Sequence, residues 1–200
     1  MHVLRNTVMS AILALVAVGT PTVSQAFLLN APASNLSRMP AYIEASRPAL
    51  APMAHVVLCA REPRLCAERG GARSVELSAT ADATMRRVNR QVNRSVKQVY
   101  DVQTVSGVDD WRIAGDSGDC EDLALLKREL LIAEGFSPRA LRLAVARTPW
   151  GEGHAVLVVR TSQGDLVLDN RTDAIRPWSR TDLTWLKIQS GDNPRRWLAI

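Results

Sequence analysis

The sequence predicts an α+β fold in which helices precede an antiparallel sheet. Helical periodicity comes first: apolar residues recur every three or four positions over residues 80–100 and again over residues 117–135. Short segments of strand-forming residues follow at 140–147, 154–160 and 166–169. The connections between these segments are short, which favours antiparallel neighbours.

Length and composition are those of one globular domain. The chain has 200 residues, of which 46% are hydrophobic and 22% are charged. Its formal net charge of +5 is spread over helix faces and the C-terminus. It contains no basic tract studded with aromatic residues of the kind that stacks on bases, so we expect no nucleic acid partner.

Residues 1–26 have the pattern of a secretory signal peptide. Arg5 precedes an apolar run at residues 11–18, and the small residues Ser24 and Ala26 lie at the −3 and −1 positions of a cleavage site. An uncleaved membrane anchor is the alternative, but the run has about half of the ~20 residues that a membrane span needs. We expect a periplasmic or secreted protein, cleaved near Ala26, with no transmembrane segment after cleavage.

The rest of the chain divides into a lead-in at residues 27–79 and a core at residues 80–200. Residues 27–52 of the lead-in are rich in Ala, Pro and Ser and have no sustained period, and Cys59 and Cys66 follow on either side of a short loop. A local disulfide between these cysteines is the simplest assignment in an oxidising compartment. Pairing of Cys120 with one of them is the alternative that the sequence leaves open.

Cys120 is predicted to lie in the first turn of a buried helix. Asp119 has the position of an N-cap, with Asp122 three residues on as an acidic version of the capping box, and Gly135 fits the position after the last turn. A helix N-terminus favours the thiolate form of a cysteine. An unpaired cysteine at this position is therefore a candidate nucleophile.

His154 and Asp169 are the candidate partners of this thiol. His154 opens one predicted strand, and Asp169 closes the next. A thiol, an imidazole and an orienting carboxylate are the parts needed for nucleophilic acyl transfer. The sequence therefore favours a Cys-His-Asp triad.

The register of the hairpin decides whether the imidazole and the carboxylate can meet. If Gln163 and Gly164 alone formed the loop, Asp169 would face a position about 13 Å along the strand from His154, and no triad could form. A four-residue loop at 161–164 with Gly164 at positive φ makes them diagonal neighbours on one face. The triad requires the second register, in which Arg160 pairs with Asp165.

Several acidic residues lie close to the candidate nucleophile in the sequence, and they are candidate ligands of a metal ion. They are Asp109, Asp110, Asp116, Asp119, Glu121 and Asp122. Unscreened negative charge would raise the pKa of the thiol, and a bound hard cation such as calcium would resolve this conflict. Spacing alone favours a solvated acidic loop, and zinc is disfavoured because His and Cys ligands are too few.

Several motifs resemble one known family. They are VNRQVN at residues 88–93, GDCEDLALLKRELL, LRLAVA, GHAVLVV and LVLDN. Together they resemble the bacterial transglutaminase-like cysteine proteinases, which include the LapG-type periplasmic proteases that release large surface adhesins. The pair Cys59 and Cys66 also looks like the upstream cysteines of that family.

The resemblance implies a papain-like, transglutaminase-like core and assigns roles to the candidate residues. Cys120 would be the nucleophile, His154 the base and Asp169 the orienting acid, while Asp119 and Glu121 would bind calcium. It also implies a protein substrate, such as a large surface adhesin, and a membrane-anchored regulator as a partner.

The function predicted from the sequence is that of an exported cysteine peptidase acting through a thioester intermediate. Transglutaminase-type acyl transfer to an amine uses the same triad and is the first alternative. The second is an inactive module that binds a peptide or a regulator on the same fold, against which the intact Cys, His and Asp argue.

The signal peptide gives a first prediction. If cleavage follows Ala26, the exported protein begins at Phe27. The intact mass of protein recovered from the periplasm should then be that of the chain without residues 1–26. A protein that retains these residues in the membrane fraction would contradict the cleavage site.

Overall fold

The helix-then-strand order expected from the sequence is present in a computed structural model of the protein, which describes residues 41–99 and 109–200. The predicted signal peptide and the first part of the lead-in lie outside the described residues. The helices are α1 (Met53–Arg61), α2 (Ala79–Ser95) and α3 (Cys120–Ala133). The strands are β1 (Arg47–Ala49), β2 (Lys97–Gln98), β3 (Ser117–Gly118), β4 (Leu141–Arg147), β5 (Gly153–Thr161), β6 (Gly164–Leu168), β7 (Arg176–Pro177), β8 (Thr184–Gln189) and β9 (Trp197–Ala199).

The frame of the fold is a seven-stranded sheet in the order β1-β9-β8-β4-β5-β6-β7, with every neighbouring pair antiparallel. The three helices contribute to a core on one face of this sheet. A smaller apolar cluster covers the other face. The α+β class and the antiparallel sheet predicted from the sequence are both confirmed, and β8 and β9 form a C-terminal hairpin. None of the helices in the described ranges has the length and hydrophobicity of a membrane span.

Helix α2 is shorter than its periodicity predicts. The apolar stripe Met85, Val88, Val92 and Val96 is buried as expected. The helix nevertheless ends at Ser95, because β2 turns away to form a two-stranded parallel ladder with β3. This ladder leads directly into α3 and fixes where that helix begins.

Helix α3 lies between α2 and β5, and its ends follow the prediction only in part. Gly135 has a φ of +88° after the last turn, as expected of a helix terminator. The predicted side-chain cap is wrong: Asp119 occupies the N-cap position, but its carboxylate makes no capping hydrogen bond. That carboxylate lies instead beside those of Asp109 and Glu121.

The described part of the predicted lead-in, residues 41–79, is integral to the domain. Strand β1 adds to the sheet edge beside β9, and α1 places Ala54 and Leu58 in the main core. Val75 makes an isolated bridge with Thr161 of β5. A boundary at residue 80 therefore does not separate two packing units, since the described residues on both sides of it belong to one compact unit.

The β5–β6 hairpin has the register that the candidate triad requires. Arg160 pairs with Asp165, as expected for the longer loop, but the ladder continues to Thr161 and Gly164 and leaves a turn of only two residues. Gly164 has a φ of +132°, and a Cβ added there would lie 2.7 Å from the carbonyl oxygen of Ala41. Glycine is needed here both for its conformation and for the close approach of the N-terminal segment.

This double constraint predicts that Gly164→Ala lowers the free energy of unfolding by about 2 kcal/mol. The measurement is urea denaturation followed by circular dichroism. Gly115→Ala is the matched control, because no heavy atom lies within 4 Å of a Cβ added there, and its effect should stay within about 0.5 kcal/mol. Equal stability losses in the two variants would contradict the assignment.

Candidate active site

Cys120 begins α3, where its thiol contacts both the helix that carries it and the sheet. Its Sγ accepts a hydrogen bond from the Ala155 N–H at 3.3 Å and donates to Glu121 Oε2 at 3.1 Å. Burial raises the pKa of the thiol well above its ordinary value, and the charge of Glu121 raises it further, which outweighs the Ala155 N–H. Without a compensating charge, the thiol is held in its protonated form.

His154 and Asp169 meet as the register requires. His154 Nε2 lies 2.9 Å from Asp169 Oδ1, and both side chains are buried. The last paired residues of the ladder are Leu157 and Leu168. Continuing that register by one residue places Asp169 diagonally across from His154 on the neighbouring strand. With Nε2 hydrogen bonded to the carboxylate, Nδ1 is the ring nitrogen left to exchange a proton.

Arg171 holds the carboxylate of Asp169 from the other side. Its Nε and Nη2 donate to Asp169 Oδ2 at 3.0 and 2.9 Å, and its backbone N–H donates to Oδ1 at 2.9 Å. Burial works against ionisation of Asp169, but the hydrogen bonds from His154 and Arg171 outweigh it and hold its pKa well below the usual range. Sequence reasoning missed Arg171, although its place two residues after the candidate acid was a usable signal.

The loop that follows β6 is anchored by amides from α2. Asn93 Nδ2 donates to the carbonyl oxygen of Asp169 at 3.1 Å and to that of Thr172 at 2.9 Å. Asn89 Nδ2 donates to the Thr172 and Asp173 carbonyl oxygens, both at 3.2 Å. The paired Val-Asn motif therefore has a direct structural role, because each valine enters the core and each asparagine holds the loop that carries the candidate acid.

Lys127 is buried behind the same loop, two turns along α3 from Cys120. Burial lowers its pKa to about 7, although the charges of Asp169 and Asp173 partly oppose that shift. Periodicity offered no reason to single out this lysine, because its helix face could be assigned only once α2 and the loop were in place.

Two clefts meet at Cys120 and His154. The first, which we call the polar cleft, has a volume of about 370 Å³ and runs toward Trp150, Asn170 and Arg171. The second, the apolar cleft, has a volume of about 480 Å³ and is walled in part by Met53, Trp111 and Leu186. A thiol and an imidazole at this junction can reach the middle of an extended chain that crosses both clefts.

Three carboxylates converge beside the thiol. Oxygens of Asp109, Asp119 and Glu121 lie within 4.8 Å of one another. Burial raises the pKa of Glu121, and its hydrogen bond with the Asp109 carboxyl raises it further. No N–H or hydroxyl group of the described residues donates to the buried Oε1 of Glu121.

These carboxylates, which we call the acidic group, fit a calcium ion. The atoms are hard oxygen ligands at a spacing that a cation with contacts of about 2.4 Å can bridge. Asp119 and Glu121 were the ligands expected from the sequence, and Asp109 joins them. Asp122 is not a member: its carboxylate accepts the Arg112 N–H at 2.8 Å and braces the segment that follows Asp109.

The cysteines pair as the simplest assignment predicted. Cys59 and Cys66 form a disulfide with a Cα separation of 5.5 Å, and Cys120 is a free thiol. The alternative pairings of Cys120 are therefore excluded, and its sulfur remains available at the junction of the clefts.

Comparison with known proteins assigns the family. The family model of the bacterial transglutaminase-like cysteine proteinases matches residues 45–200. The chain belongs to this family. Its enzyme class, a transglutaminase-like cysteine peptidase, and the α+β fold of that class agree with the sequence prediction.

Solved structures give a second line of similarity. The chain is similar to calcium-bound Legionella pneumophila LapG at 26% identity, with 62% of this chain and 71% of that chain covered and a TM-score of 0.50. Another structure of L. pneumophila LapG matches at 27% identity over 60% of this chain and 69% of that one, also with a TM-score of 0.50. A comparison with curated proteins gives no match.

The depressed pKa of Asp169 predicts a pH-dependent cost for Asp169→Asn. Because the folded-state pKa lies below the unfolded value, the carboxylate contributes its full stability above about pH 4, and the contribution is lost as the pH falls through the folded pKa. The variant should therefore lose about 3 kcal/mol at pH 7. The difference from the parent should shrink at pH 3, as measured by urea denaturation at both pH values.

Asp182→Asn is the matched control, because Asp182 is the exposed second partner of Arg171, with Nη2 at 2.7 Å from Oδ1. Its cost should stay below about 1 kcal/mol at either pH. A cost of Asp169→Asn that is the same at pH 3 as at pH 7 would contradict an ionised, clamped carboxylate.

Proposed function

We propose that this family member is an exported peptidase that cleaves a protein substrate with the triad Cys120, His154 and Asp169. The observation that carries the proposal is the buried hydrogen bond between His154 and Asp169 at the cleft junction where the only free thiol of the described residues lies. The family assignment supports peptidase chemistry, and the geometry supplies a residue for each step.

The residues divide the chemistry as follows. His154 takes the proton of the Cys120 thiol while the sulfur attacks the substrate carbonyl carbon, and the imidazolium then gives that proton to the departing amine. The acyl group remains on the sulfur as a thioester. Water, deprotonated by His154, attacks this thioester, releases a carboxylic acid and restores the thiol. Asp169 orients the ring and stabilises its charged form.

The clefts support a polypeptide as the substrate. They open on both sides of Cys120, so residues before and after the cleaved bond can each contact a wall. The specific substrate class that the family resemblance favours is a large adhesin of the cell surface. Such a substrate agrees with the export predicted for residues 1–26.

Calcium is the cofactor that the acidic group would hold, with Asp109, Asp119 and Glu121 as ligands. A bound calcium ion would supply positive charge beside the thiol and offset the repulsion of these carboxylates. The calcium-bound state of a LapG structure supports this assignment.

The test is a search for new protein termini on the cell surface. Surface proteins of the host bacterium, lacking its own copy of this protein, are incubated with the mature wild-type protein or with Cys120→Ala. New N-termini, identified by mass spectrometry, should appear with the wild type, and cleavage by the variant should be at least about 10³-fold slower. EGTA should abolish cleavage, and calcium but not magnesium should restore it.

Three results would redirect the proposal. Cleavage by Cys120→Ala at the rate of the wild type would show that Cys120 is not the nucleophile. Incorporation of a dansylated amine into a Gln-containing protein, without new N-termini, would favour transglutaminase-type acyl transfer. No reaction of either kind, together with binding of a surface protein or a membrane-anchored regulator, would favour the inactive module.

A further inference from the structure

Trp111 links the acidic group to the interior of the protein. Its indole Nε1–H donates to Asp109 Oδ2 at 3.1 Å, and its ring is 4% exposed. Asp109 is itself exposed, and its carboxylate is held toward Asp119 and Glu121 by this hydrogen bond and by its hydrogen bond with Glu121. A carboxylate ligand that is oriented in advance binds a cation more tightly than one that must be ordered on binding.

Helix α1 fixes Trp111 from two directions. Arg61, the last residue of α1, donates to the Trp111 carbonyl oxygen at 2.5 Å and pairs with the neighbouring Asp110 at 2.7 Å. His55, one and a half turns earlier, packs edge-on against the Trp111 ring with centroids 5.7 Å apart. The ring is therefore positioned by α1 as well as by its own segment.

His55 rests in turn on the disulfide. Its Nε2 lies 3.6 Å from Cys59 Sγ and 3.8 Å from Cys66 Sγ. The ring is also held by Gln189 Nε2, 2.9 Å from its Nε2, and by the Trp197 indole N–H, which donates to its Nδ1 at 3.3 Å. Burial, together with the nearby charges of two arginines, lowers the pKa of His55 to about 4. The ring is therefore neutral near pH 7 and acts as a packed spacer between the disulfide and Trp111.

This arrangement of α1, its disulfide and His55, which we call the buttress, has no part in the proposed triad. We propose that the buttress, by fixing Trp111, holds Asp109 in the position that a calcium ion requires, so that the redox state of the disulfide sets the calcium affinity of the acidic group. The inference rests on the calcium site of the proposed function and adds a means of regulating it.

The coupling follows from how the segment around Trp111 is held. Asp122 anchors its far side through the N–H groups of Arg112 and Ala114, and this anchor comes from α3. On the near side the described contacts come from α1 and from Trp197 of β9, whose ring centroid lies 6.4 Å from that of Trp111. Reduction frees Cys66 from Cys59, loosens the support under His55, and leaves Asp109 attached to a less constrained tryptophan. Asp119 and Glu121 are fixed by α3 and should not move. The calcium affinity should therefore fall on reduction, but binding should remain measurable.

The experiment measures calcium binding directly, by isothermal titration of the mature protein carrying Cys120→Ala. This background has no peptidase activity under the proposed mechanism. Because the chain has three cysteines in all, it also leaves the disulfide as the only target of a reductant. Trp111→Phe keeps an aromatic ring at this position but removes the indole N–H donor, and it should weaken calcium binding about 10-fold. Reduction with a phosphine should weaken it by a similar factor.

A double-mutant cycle separates positioning from a general structural role. If Trp111 acts through Asp109, Trp111→Phe should weaken binding about 10-fold in the background but less than about 2-fold when Asp109→Asn is already present. Trp185→Phe is the matched control: this tryptophan packs with Trp178 on the other face of the sheet, and its loss should leave calcium affinity unchanged.

The outcomes separate this inference from the proposed function. Calcium affinity within about 2-fold of the parent in Trp111→Phe and after reduction overturns the buttress and leaves the calcium site standing. An absence of calcium binding in the parent overturns both the buttress and the calcium site. Peptidase activity is judged separately, by the appearance of new termini. If the reduced protein unfolds, as seen by near-ultraviolet circular dichroism, Trp111→Phe and the cycle decide.

Discussion

The register of the β5–β6 hairpin is the constraint on which the candidate site depends, and a buried carboxylate fixes it. Asp165 is fully buried and accepts hydrogen bonds from the Ile43 N–H at 2.8 Å and from Arg142 at 3.0 Å, beside its strand partner Arg160. A slip of one residue would turn this charge away from its partners and leave it buried without an ion pair. Such a change would cost several kcal/mol of stability. The same slip would separate the imidazole from its carboxylate, so the charge that stabilises the hairpin also assembles the site.

The start of α3 carries the opposite kind of feature, an electrostatic conflict. Cys120 is buried next to a carboxylate, and the pKa values of both the thiol and Glu121 are raised. Strained arrangements of this kind persist where surrounding structure over-determines them, and they are common at functional sites. A cation at the acidic group removes the conflict, which is why calcium and the thiol are best considered as one site.

Much of the site was predictable because its chemistry is sparse in the sequence. One odd thiol and few histidines restricted the candidates, and the hairpin arithmetic showed which register would bring His154 to Asp169. The roles of Lys127 and Asp109 were not predictable, because each depends on which side chains converge from separate elements, whereas Arg171 had a usable signal in its place two residues after the candidate acid. The side-chain cap expected of Asp119 is absent: local pattern favours a cap, but the carboxylate lies beside those of Asp109 and Glu121.

The sequence by itself determined the α+β order, the family resemblance, and the identity of the candidate nucleophile, base and acid, and it indicated which strand register a triad would require. These follow from local periodicity and from residue types whose chemistry is distinctive at short range. Only the tertiary structure decided that residues 41–79 belong to the same core, that α2 holds the loop after β6, and that α1 reaches Trp111 and through it Asp109. Such contacts join residues far apart in the chain, and a single sequence carries no signal for a distance that packing alone sets.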